Sequence, residues 1–151
     1  MDNSWRHLPV AARPIAAAAD AAVTATQTGD RAALAEAIGR LAALDPAQVG
    51  LVLGTTIRVL LEDRHPDGLT GDDVRAVLTR AARSDPEADP QVMLSLLAGA
   101  LGVHDDEPPE AKPDAVARQA VLLLTDQVAG APVRPYLDQA LTEIERTQLN
   151  D

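Results

Sequence analysis

A chain of 151 residues with a net charge of −10 and no cysteine has the length of one ordinary domain. It lacks the thiolates needed for disulfides, cysteine nucleophiles, iron–sulfur clusters and thiolate zinc sites. Its acids repel a phosphate backbone, and aromatics at 1% leave almost nothing for single-stranded bases to stack on, so nucleic acid is not an expected partner.

The 29 Ala, 20 Leu and 13 Val that dominate the apolar residues favour helix over sheet, and an all-α fold is predicted. Residues 1 to 9 show no periodicity and are expected to form a flexible N-terminal arm, followed by a single all-helical domain over 10 to 151. The run from Ile15 to Ala25 is short and Ala-rich like a secretory leader, but it contains Asp20 and continues into a helix, so a cytoplasmic protein is expected. No stretch approaches the roughly 20 apolar residues that span a bilayer, and no membrane association is expected.

The first predicted helix, from Pro14 to Gln27, aligns Ile15, Ala18, Ala19, Ala22 and Val23, and Gly29 can stop it. The second, from Asp30 to Leu44, aligns Leu34, Ala37, Ile38 and Leu41, and the two should form a tight hairpin. The third, from Pro46 to Asp63, is apolar on most sides. Gly50 and Gly54 lie one turn apart in it and are expected to admit a neighbouring helix, at about 1 kcal/mol each relative to Ala. The fourth, from Gly71 to Arg83, opens on Thr70 as N-cap with Asp73 in the capping-box position.

The fifth helix covers Val92 to Val103, where nothing is more polar than Ser95, and is predicted to occupy the centre of the molecule. An acidic, Pro-rich linker, residues 103 to 113, should be extended and solvated. The sixth helix, from Pro113 to Ala129, aligns Val116, Ala120, Leu123, Leu124 and Val128 and ends at Gly130. The seventh starts between Pro132 and Pro135 and runs to Gln148, with Val133, Leu137, Ala140, Leu141 and Ile144 inward.

Two helices begin alike, at Asp45-Pro46-Ala47-Gln48-Val49 and Asp89-Pro90-Gln91-Val92, each with an Asp N-cap, a Pro in the first turn and a long apolar run. The offset of 44 residues is a HEAT-like spacing. About seven helices are therefore expected as a compact bundle or a short stack of helical hairpins, with the stack slightly favoured by the repeat.

Several residue groups are candidates for chemistry. Asp63 to Gly68 resembles the start of a calcium loop, but position 12 holds Val74 where a bidentate Glu is needed. Glu62 and His65 make one Glu-x-x-His spacing without the second copy that a di-metal bundle requires. If the two loops of the repeat met, His65 and Asp67 would join His104, Asp105 and Asp106 around a divalent ion such as zinc. Arg58, inside the apolar third helix, needs a partner when buried, and Glu62 or an acid of helix six or seven would supply it. None of Ser4, Ser84 and Ser95 has a neighbouring His or a nucleophile-elbow turn, so catalysis is disfavoured and no cofactor is expected.

Residues 85 to 151 carry thirteen acids and four bases, −9 of the total charge. These features predict a non-enzymatic helical interaction module, an adaptor or regulator. Its partner would be another protein, basic where the acids Asp105, Asp106, Glu107 and Glu110 provide the docking surface. One alternative is a small-molecule binder, or an enzyme without a recognised motif, using a cavity between helices three, five and six with Arg58, Thr55 and Thr56 as polar groups. Another is an acidic mimic that blocks a basic partner. An Ala and Leu surface on helix one or seven would serve a homodimer.

Overall fold

A computed structural model describes residues 12–102 and 111–149, and the N-terminal arm and most of the acidic linker lie outside them. Seven helices are present among the described residues: α1 (Ala12–Thr28), α2 (Arg31–Ala43), α3 (Pro46–Arg64), α4 (Gly71–Arg83), α5 (Pro90–Ala100), α6 (Pro113–Val128) and α7 (Arg134–Leu149). Local chemistry sets most of their starts. Asp30 and Asp45 accept from the backbone N–H groups of Ala33 and Gln48 at 3.0 and 3.2 Å, and Asp89 accepts from Gln91 and Val92. These bonds satisfy amides that have no partner inside the helix. Thr70 and Asp73 cap each other's backbone reciprocally. At the end of α6, Ala129 takes a left-handed φ of 49° and Gly130 one of 87°, which turns the chain sharply towards α7.

One apolar cluster draws on every helix, from Ile15, Leu41 and Ile57 through Val77 and Leu97 to Leu123 and Leu137. Its centre is α6, which packs on α1, α2, α3, α4 and α5, together with α3, which packs on α1, α5, α6 and α7. The chain closes on itself because α7 returns to both α3 and α1. An open stack would leave its first and last units apart, so the arrangement is a closed bundle and not the stack the repeat favoured. Nor do α3 and α4 act as a repeat hairpin, because α4 packs on α5 and α6. The matching Asp-Pro starts reflect the same N-terminal capping chemistry used twice, without a repeated supersecondary unit.

The central position expected for helix five belongs to α6. In α5 only Val92, Met93 and Leu97 are buried, whereas nine residues of α6 are, including Gln119 and Gln127. Gln119 is 2% exposed and pins the α4–α5 connection: its Oε1 accepts from the Asp89 N–H at 2.8 Å, and its Nε2 donates to the Glu87 carbonyl at 3.0 Å. A polar side chain with both ends bonded is compatible with a core position. Across α4 and α6, Arg80 meets Asp126 through two contacts of 3.2 and 3.3 Å.

Candidate functional site

The outer side of α3 presents Gly50, Leu51, Gly54, Thr55 and Arg58 on successive turns. Ser95, Leu96, Gly99 and Ala100 of α5 face them across a groove of about 420 Å³. Its floor is open because three glycines line it. A Cβ placed on Gly50, Gly54 or Gly99 would meet nothing within 4 Å, so these glycines do not admit a close neighbouring helix as expected from their spacing. They leave space instead.

Arg58 closes one end of the groove. Its Nη1 donates to Glu62 Oε1 on the next turn of α3, and its Nη2 donates to Glu143 Oε2 of α7, both at 2.5 Å. Partial burial alone would lower the guanidinium pKa, but the hydrogen bonds and charges of Glu143 and Glu62 hold it above its ordinary value. With two carboxylates on one cation the trio carries a net −1. An anionic ligand would have to displace an internal carboxylate to reach Arg58.

Thr55 lines the groove and also the adjoining recess beside Glu143, Ile144 and Thr147. Thr56 does not join it. It is fully buried, and its Oγ1 donates to the Val52 carbonyl at 2.7 Å. The two positions lie about 100° apart around the helix, and that turn carries Thr56 onto the side of α3 that faces the core.

His65 caps the C-terminus of α3, with Nδ1 at 2.9 Å from the Leu61 carbonyl and Nε2 at 3.9 Å from Asp73 Oδ1. The Asp73 carboxyl lies below its ordinary range, chiefly because the Thr70 backbone N–H donates to it. Asp67 is exposed in the same turn. Their proposed co-ligands His104, Asp105 and Asp106, and the docking acids Glu107 and Glu110, lie outside the described residues. Among the described residues no three His, Asp or Glu side chains form a group that would hold a metal ion. Glu62, the other half of the Glu-x-x-His pair, is engaged by Arg58. Asp63, first residue of the calcium-like loop, lies 3.4 Å from the Tyr136 hydroxyl, which donates to it.

The large apolar side chains exposed among the described residues lie on α3 and α5: Leu94 at 49%, Leu51 at 42% and Leu101, the residue capping α5, at 36%. On α1 and α7 the residues predicted to point inward, including Ala18, Ala19, Ala22, Leu137 and Leu141, are buried in the core. Sequence reading missed the α5 surface because it treated the helix as enclosed. Periodicity alone could not have found it, because Leu94 and Leu101 lie within about 60° of the buried Leu97 around the helix. Among the described residues no helix is long and apolar enough to cross a membrane. Compared with models of protein families, with curated proteins and with solved structures, the chain matches none.

Proposed function

We propose that the protein is a non-enzymatic helical interaction module, an adaptor or regulator, and that it engages its partner through the outward face of α5 and the adjoining turn of α3. The observation that carries this reading is the exposure of Leu94, Leu101 and Leu51 around a helix that bears no charged residue from Pro90 to Ala100. Large apolar side chains left exposed on an acidic protein, two of them at the uncharged α5 and its C-cap, fit a binding surface better than a solubility surface. The partner chemistry is read from the charge of the chain. Arg58 is already neutralised by Glu62 and Glu143, and −9 of the net charge lies in residues 85 to 151. A basic amphipathic helix, laying its apolar side on α5 and its cations outward, meets both the apolar strip and the acids.

The test uses the immobilised full chain and the double variant Leu94→Glu with Leu101→Glu, both at exposed positions and therefore expected to leave helicity unchanged. Wild type should capture a basic protein from the native cell extract at about 0.01 M salt. Capture should weaken as the Debye length falls from about 30 Å to about 10 Å at 0.1 M. The double variant should lose it. Identical capture by both forms overturns the assignment of this face.

A further inference from the structure

We infer that the protein also contains a binding pocket for a neutral apolar molecule, set between α2, α3, α5 and α6 and separate from the exposed face of α5. The pocket has a volume of about 170 Å³. Leu41 and Leu44 form one wall, Val49 and Leu53 a second, and Val116 and Ala120 a third. Its remaining lining among the described residues consists of Pro, Gly, Leu and Ala, so no described lining side chain carries a polar atom.

That composition decides what can occupy it. The pocket is partly open to solvent, but water within it finds no side-chain partner among the described lining residues, and aliphatic spaces of about 150 Å³ take up benzene or xenon. A guest of that size would exchange water contact for dispersion contacts with the leucine and valine walls. The space is not forced by packing. Gly50 and Gly54 belong to its lining, and a Cβ at either would meet nothing within 4 Å. Alanine at both positions would strengthen the helix and reduce the void, yet the sequence holds glycine.

Electrostatics then selects the class of guest. The pocket shares Gly50, Gly54 and Leu96 with the α3–α5 groove, at whose end Arg58 stands. Both Nη groups of Arg58 are bonded to carboxylates of the chain, leaving a net −1 there. A fatty carboxylate or an alkyl phosphate would be repelled. The polar groups left to meet a head group in the groove are the hydroxyl-bearing side chains Thr55 and Ser95. The ligand class is therefore a small neutral hydrocarbon, monocyclic or a short alkyl chain, with at most a hydroxyl as its polar end.

The test measures thermal unfolding of the full chain by circular dichroism with benzene, 1-hexanol or hexanoate, in wild type and in Gly54→Leu, whose side chain fills the pocket. Ala120→Leu fills it from the opposite wall as a second variant. Benzene and 1-hexanol should raise the wild-type melting temperature by a few degrees, hexanoate should not, and neither filled variant should respond. In methyl NMR spectra of wild type, benzene should shift Leu41, Val49 and Leu53 and leave Leu94 unchanged. Three results would each overturn the inference: no response in wild type, an equal response in the filled variants, or a stronger response to hexanoate, which would place an anion at Arg58. Because Ala120 lines the pocket and not the groove that Leu51 borders, Ala120→Leu separates the two readings: failure here leaves the partner-binding face standing, and failure of that face leaves the pocket standing.

Discussion

α5 and α6 are neighbours of opposite kinds. α5 has no charged residue and buries three side chains, whereas α6 carries Asp114, Arg118 and Asp126 and buries nine. Apolar content therefore ranks these helices in the wrong order. Burial depends on how many neighbours surround a helix, and α6 has five packed against it. An apolar residue is free to lie at the surface, but a polar one in the core needs partners, as Gln119 has in Asp89 and Glu87. The informative residue for locating the centre was the buried amide and not the run of leucines.

Five substitutions sharpen or break this contrast. The largest effect is expected for Leu123→Ala in α6, a loss of about 2 to 5 kcal/mol in equilibrium denaturation. Leu97→Ala in α5 should fall in the lower part of the same range, because a peripheral helix relaxes more easily around the void. A larger loss at Leu97 than at Leu123 would return the centre to α5.

Gln119→Leu should cost about 1 to 3 kcal/mol, since it leaves the Asp89 N–H and the Glu87 carbonyl without their partner. Hydrogen exchange should show the Asp89 amide losing protection. A neutral result would mean that the connection between α4 and α5 is held by the Arg118 contact to Glu87 at 3.2 Å instead.

Gly54→Ala is expected to raise stability by up to about 1 kcal/mol, because the added methyl enters open space and the helix gains propensity. A loss on denaturation would show that α5 approaches α3 more closely than the groove allows. The smallest effect belongs to Leu94→Ser, within about 0.5 kcal/mol of wild type, as befits a side chain that is 49% exposed. A loss above 1 kcal/mol would mean that Leu94 is covered, and the proposed partner face would go with it.

Much of the fold was legible before any coordinates. All seven helices lie where periodicity and caps put them, because Asp30, Asp45, Thr70 and Asp89 act on amides two or three residues away. The inward stripes of α1 and α2 were equally readable, from Ile15 and Val23 to Leu34 and Leu41. The candidate site was legible only in part. Arg58 announced itself as a cation in an apolar helix and Glu62 was within its reach, but Glu143 is 85 residues away and only packing selects it. Thr56 lies in the buried stripe of α3 with Val52, Leu53 and Ile57, where its hydroxyl is satisfied by the Val52 carbonyl and does not reach the groove.

The sequence by itself determined the helices, their ends and their class, since those rest on interactions spanning one turn. Only the tertiary structure decided which helix is enclosed, that the bundle closes through α7 onto α1 and α3, and that Gly50 and Gly54 border empty space. These outcomes depend on which surfaces meet across long chain separations. An Ala- and Leu-rich chain offers many nearly equivalent apolar stripes, so choosing among them requires the shapes of all seven helices at once.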